Sequence, residues 1–233
     1  MRALNFLSRD FTYQVQYLSP MPRKQLIRTN EFPYHIISRV NNKEWFKVPI
    51  DEVWEYALSS FRRANELGPI SFHAFVLMNN HYHLLVSTPN QDIDYFMRNF
   101  NKNLADSIRT RTKRENRVFG GRYTWSIVTN ENYLGNVVRY VFQNPVRAKI
   151  VERVEDYPFS SLHCESFEKY FPLKVQSLFE YRNTELIESF NTSISEKESD
   201  LIRKGLRRGC FQVAKSSNTG RSHNLSAFLT RAS

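Results

Sequence analysis

Apolar positions along this chain recur at two spacings, one of two residues and one of three to four, between about residues 34 and 145. YHIISRV (34–40) is β-branched and apolar and predicts a first strand. Pro49-Ile50-Asp51 opens a helix in which Val53, Trp54, Ala57, Leu58 and Phe61 share a stripe, and Gly68-Pro69 stops it. ISFHAFVLM (70–78) and HYHLLVS (81–87) flank Asn79-Asn80. Two apolar runs around an Asn pair predict a β-hairpin, because Asn tolerates the positive φ of tight turns. From Ile93 a second helix carries Phe96, Met97, Phe100, Leu104 and Ile108 on one face. An Arg-rich loop with Gly120-Gly121 precedes a fourth strand, RYTWSIVT (122–129). A third helix, from about Glu131 to Gln143, is expected to close at Asn144-Pro145, since the residue before proline avoids helical ψ.

The order β-α-β-β-α-β-α predicts an α+β, ferredoxin-like (split βαβ) fold: one antiparallel sheet with helices on one face. Many unrelated functions use that architecture, so it names no chemistry. Residues 1–20 end at Ser19-Pro20-Met21-Pro22 and read as an N-terminal extension, 21–165 as the main domain, and 166–233 as a C-terminal helical extension. Within the last, 165–190 holds helical patches, NTSISEKESD (191–200) reads as a linker, and LIRKGLRRG begins a basic segment. The final fifteen or so residues, rich in Ser and Asn, read as a mobile tail.

Charge sharpens this picture. Lys and Arg number 33 against 23 Asp and Glu, a net +10. The surplus is uneven: net +9 over 1–150, −6 over 151–200 and +7 over 201–233. Such a field suits a polyanion held by the first block and touched by the tail. The 41% hydrophobic content excludes wholesale disorder, and no apolar run approaches a membrane span. Cys164 and Cys210 are far apart and match no metal-ligand spacing, which points to a reducing cytoplasm.

The candidate chemistry lies in two stretches. On a strand, side chains two apart share a face, so His81 and His83 can present two imidazoles to one ion while Tyr82 points away. The alternative is a polar face of a half-buried strand. In the third helix, Tyr140 and Asn144 are four apart and share a helical face. The alternative there is a core Tyr and a capping Asn. His35 and His73 also fall on strands and read as satisfied core residues.

MPRKQLIRTNEFPYHIISRV, FVLMNNHYHLLVSTPN, RVFGGRYTWSIV, RYVFQNPVRAKIV and YPFSSL follow one another in this order. Together they resemble the REP-associated tyrosine transposases, members of the HUH class of single-tyrosine transposases, over roughly residues 21–165. The resemblance implies that His81 and His83 bind a divalent metal, Mg²⁺ or Mn²⁺, with Asn144 as third ligand beside the adjacent Gln143. It implies Tyr140 as nucleophile, with Tyr133 as a weaker rival. It further implies cleavage of single-stranded DNA next to a hairpin in a palindromic repeat, through a 5′-phosphotyrosine and a free 3′-hydroxyl.

The residue chemistry agrees with that implication. A cation held by two imidazoles and an amide oxygen neutralises phosphate oxygens and orients them. A free phenol titrates near ~10, so a nearby cation helps it become a nucleophile at neutral pH. A covalent phosphotyrosine conserves the broken bond's energy for rejoining, consistent with the lack of a Gly-rich phosphate loop. Eight basic and two acidic residues lie between Arg98 and Arg122, interleaved with aromatics that offer stacking faces. Expected DNA contacts are therefore Arg98, Lys102, Arg109, Arg117 and Arg122, with Arg39, with Arg23, Lys24 and Arg28 in the N-terminal segment, and with Arg139 and Arg147 flanking the Tyr helix.

Three departures from the family pattern stand out: residues 1–20, either an extension or a start placed ahead of Met21, Lys149 where Gly is common, and Phe159 where Trp is common. The expectation is a cytoplasmic, nucleoid-associated monomer acting on single-stranded hairpin DNA, with no membrane partner. An alternative is a host-retained hairpin-binding protein that cuts little or not at all. A ferredoxin-like RNA-binding module is a weaker reading, since the sheet lacks the aromatic motif such modules use.

Overall fold

A computed structural model of the chain describes residues 24–162, 184–213 and Leu225. Residues 1–20, Arg23, Cys164, the expected patches over 165–183 and the tail other than Leu225 lie outside the described residues. The strands are β1 (Tyr34–Arg39), β2 (Ser71–Met78), β3 (His81–Ser87) and β4 (Thr124–Ile127). The helices are α1 (Ile50–Leu67), α2 (Ile93–Thr112), α3 (Glu131–Phe142), α4 (Asn144–Arg147), α5 (Thr184–Asn191) and α6 (Glu196–Gly205). The sheet runs β2-β3-β1-β4 with all pairs antiparallel, as the split βαβ pattern requires.

Because strand side chains alternate, the sheet has two differently furnished faces. Tyr34, Ile36, Phe72, Phe75, Leu77, Tyr82, Leu84 and Val86 pack against the apolar stripes of α1 and α2. The two crossover helices thus cover one face, as expected. The third helix does not join them: Ala74, Val76, Met78 and Leu85, on the opposite face, pack with Val137, Val138, Tyr140 and Val141 of α3. A right-handed crossover places α1 and α2 together, whereas α3 follows the last strand and is free to take the uncovered side.

The third helix ends at Phe142, as expected; a separate single turn, α4, then runs to Arg147 with Pro145 in its first turn, where a missing N–H costs nothing. One local reading is corrected. The stretch 191–200 is not wholly a linker. Ser195 caps α6 by accepting from the Glu198 N–H, while the Glu198 carboxylate accepts from the Ser195 N–H, a reciprocal capping box. Residues 184–213 close the α3 face, with Phe190, Ile202, Leu206 and Phe211 buried beside it. Gly205 permits this return, since a Cβ there would lie 2.7 Å from Phe211.

Both outer strands are engaged. The Leu77 N–H donates to Phe159 O (2.9 Å) and the Ser161 N–H to Phe75 O (2.8 Å). At the other edge the Ile127 N–H donates to Gly209 O (2.9 Å) and the Phe211 N–H to Ile127 O (2.7 Å). Among the described residues, no helix is long and apolar enough to cross a membrane.

Candidate active site

β3 carries His81 and His83 on the face covered by α3, with ring centroids 5.1 Å apart. Tyr82 faces the other way, fully buried, and its hydroxyl donates to Asn101 Oδ1 (2.6 Å). α3 delivers Tyr140 to the same place: its ring lies 6.0 Å from that of His83, nearly perpendicular, and only 4% exposed. The local cause is ordinary amphipathicity, since Val137, Val138 and Val141 bury one side of the helix and bring Tyr140 with them. Tyr133 instead packs edge-on to Phe211, 5.5 Å away, with the C-terminal segment.

Each imidazole is held by its other nitrogen. His81 Nδ1 lies 2.7 Å from Asn80 Oδ1. That oxygen only accepts, so Nδ1 carries the proton and Nε2 keeps a free lone pair. His83 Nδ1 lies 3.0 Å from His35 Nε2, and donation from His83 likewise frees its Nε2. Burial drives the His35 pKa down to about 3 and the His81 pKa to about 4, the latter helped by the Arg39 charge. His83 is held well below the ordinary histidine range, chiefly by burial and then by neighbouring His35, His81, Arg39 and Arg147. Neutral imidazoles are what metal coordination needs.

Asn144 lies one helical turn beyond Tyr140. Its Nδ2 donates to the carbonyls of Tyr140 (2.9 Å) and Val141 (3.2 Å), which leaves Oδ1 as acceptor. Gln143, its neighbour, is committed elsewhere: its buried Nε2 donates to the carbonyls of Phe190 (2.8 Å) and Thr192 (2.6 Å). Among the described residues no three His, Cys, Asp or Glu side chains gather as a metal site. Two neutral imidazole nitrogens and an amide oxygen are donor types that a divalent cation accepts, with the rest of its shell from solvent or substrate oxygens.

Two of the expected cations border these residues. Arg39 pairs opposite His81 in the sheet and is exposed. Arg147, also exposed, sets its guanidinium carbon 4.6 Å from the centre of the Tyr140 ring. Arg98 and Arg122 instead line an open cleft with Asp94, Asn101 and Tyr123 at α2, and Asn101 there meets Tyr82 of the α1–α2 side. Arg28 pairs with Asp94 (3.0 Å), and Lys102 and Arg109 both pair with Asp106. Arg117 is exposed, and Lys24 donates to Trp125 O beneath a cation–π contact. Arg139 is a correction: 2% exposed, bonded to Asn136 Oδ1 (2.9 Å) and facing the Glu198 charge, it points into the protein rather than toward a nucleic acid. The C-terminal helices that cover it are what the local sequence of α3 does not reveal.

His35 is the buried, partnered strand residue that the sequence suggests, but its partner is His83; that it and Asn80 orient the imidazoles is what sequence reasoning missed. Asn80 is visible as a turn residue, but only the pairing of β1 with β3 puts His35 against His83.

Comparison with known proteins identifies the family and the fold. A protein of Haemophilus influenzae described as a candidate REP-associated tyrosine transposase is 27% identical over 125 residues, 49% of this chain and 71% of its own length. The solved structure of a REP-associated tyrosine transposase bound to a REP hairpin superposes with a TM-score of 0.53 at 17% identity. It covers 69% of this chain and 96% of the other, and shows the shared fold. The profile described as "Transposase IS200 like" matches residues 28–144, half of the chain. That span holds the whole sheet, both imidazoles and the Tyr140 helix through Asn144, and the chain belongs to the IS200-like transposase family.

Proposed function

We propose that this protein nicks and rejoins single-stranded DNA beside hairpins of palindromic repeats, with a divalent cation and a covalent 5′-phosphotyrosine on Tyr140. The observation that carries the reading is the meeting of the Tyr140 ring with His83, next to His81, on one face of the sheet. A phosphodiester resists attack because its oxygens repel a nucleophile. Arg39 and Arg147 supply fixed positive charge at the mouth of the site, which draws the phosphate in and offsets charge that develops on it. Mg²⁺ or Mn²⁺, held by His81, His83 and Asn144 when bound, would polarise the phosphate oxygens.

The Tyr140 oxygen bonds to phosphorus as the bond to the 3′-oxygen breaks. The phenol proton passes to solvent, and the departing oxygen takes one up as a 3′-hydroxyl. Reversal by another 3′-hydroxyl rejoins the strand and frees Tyr140, with no external energy source. Burial keeps Tyr140 dry and in place between turns, so little reorganisation is needed at attack. The REP hairpin held by the structural relative supports a hairpin of this kind as substrate.

The test is adduct formation on a stem-loop oligonucleotide with an unpaired flank, run with Mn²⁺ and with chelator. Wild type forms a protein–DNA band that chelation removes; Tyr140→Phe lowers it to background with hairpin affinity intact, and His81→Ala lowers it together with Mn²⁺ affinity. An adduct persisting in Tyr140→Phe overturns the nucleophile. Hairpin binding without any wild-type adduct points to a binding protein instead.

A further inference from the structure

Trp45 is 69% exposed, whereas the other two tryptophans, Trp54 and Trp125, are 5% and 4% exposed. A single exposed apolar residue is common and means nothing alone. What distinguishes Trp45 is the rigidity and the position of the loop that displays it. The Val40 N–H donates to Asn80 O (2.9 Å), the Asn41 N–H to Val118 O (2.8 Å) and the Phe46 N–H to Asn79 O (3.1 Å). Phe46, the next residue, is buried edge-on against Phe119. Three of the six non-glycine residues with positive φ among the described residues, Asn42, Lys43 and Lys47, belong to this one loop. Lysine adopts that conformation only where its surroundings enforce it.

The loop is tied directly to the metal-ligand strand. Asn80 donates from Nδ2 to Lys43 O (2.9 Å) and accepts at Oδ1 from His81 (2.7 Å). One side chain therefore joins the rim carrying Trp45 to the imidazole at the reaction centre. Charge on that rim is favourable for a nucleic acid: Arg39 and Lys43 are exposed, and the carboxylate of Glu44 is shared by Lys47 (3.3 Å) and Arg114 (3.7 Å).

We infer that Trp45 is a stacking platform for an unpaired base of the strand entering the active site, with Arg39 and Lys43 beside its phosphates. This rests on the nuclease reading above and adds a substrate subsite to it. An indole presented on a pinned loop loses little entropy on stacking, and stacking accepts any base. Such a residue holds the single-stranded flank without reading its sequence, while the cations hold the backbone.

The test uses full-length Tyr140→Phe protein, which binds without cleaving, and a short oligo(dT) strand as probe. The acrylamide-quenchable part of the intrinsic fluorescence reports chiefly on Trp45, because acrylamide reaches the two buried indoles poorly. The expected result is quenching by oligo(dT), protection of the signal from acrylamide, and affinity about 10-fold weaker in Trp45→Ala. Trp45→Phe should recover most of the affinity and Trp45→Leu little of it, a split that a merely structural residue would not produce. Bound oligo(dT) with Trp45 still fully open to acrylamide and Trp45→Ala binding as wild type overturns this inference alone. No binding of oligo(dT) or of a flanked stem-loop by any version overturns the nuclease reading as well.

Discussion

The two faces of the sheet are built from alternate residues of the same strands, yet they are furnished for different work. Toward α1 and α2 the contacts are aromatic: Phe61 stacks on Phe100 at 4.1 Å and meets Phe75 edge-on at 4.8 Å. Toward α3 lie His35, His81, His83, Arg39 and Tyr140. The first face secures the fold through apolar area removed from water, and the second keeps polar groups buried and partnered so that they stay neutral and aimed. A period of two in the strands makes that division possible without extra chain.

Cutting into the aromatic layer should have the largest effect on stability. Phe61→Ala removes a fully buried ring that meets those of Phe72, Phe75, Phe96 and Phe100, and an expected loss of about 3–5 kcal/mol should appear as a lower urea midpoint. The fraction still folded should bind hairpin DNA as before, since no residue of the site is touched. A loss under about 1 kcal/mol would break the contrast between the faces.

Gln143 probes the other face. Gln143→Leu withdraws the amide that donates to Phe190 O and Thr192 O, for about 1–3 kcal/mol. Hydrogen exchange should quicken in α5 and leave the β3 amides protected. Equal acceleration in both would mean that 184–213 is not anchored separately at this point.

The smallest effect concerns pH. His73, bonded to Ser87 Oγ (2.8 Å), is held neutral by burial with its pKa down to about 4. Between pH 6.5 and 4 the unfolded chain binds the extra proton, so stability rises with pH and is lost as the solution is acidified. Between pH 6.5 and 5.5 this one group should remove about 1 kcal/mol. His73→Gln should flatten that part of the stability-against-pH curve, read by thermal melts; an unchanged slope would show that His73 is not buried neutral.

Much of this was legible in the chain's pattern, because strands of period two and helices of period 3.6 announce themselves locally. The HxH strand and Tyr140 share that virtue: their spacing places them on a face before the faces are assembled. His35 lacks it, since its role depends on which strand lies beside β1. Arg139 reads as a surface cation until α6 and Glu198 cover it, and its burial is set by residues 59 positions away. The capping box at Ser195 and Glu198 was written in local sequence, and its signal exceeds the polar composition that makes 191–200 look like a linker. Lys149 has φ 57, a conformation that strains lysine and in which glycine would be at ease.

The flanking straps along the sheet bear on how copies of this chain behave when crowded. Residues 159–161 lie along one margin and 209–211 along the other, so the peptide groups there that would zip onto a second chain are already spoken for. At those positions fibre-like growth would first require a strap to peel away.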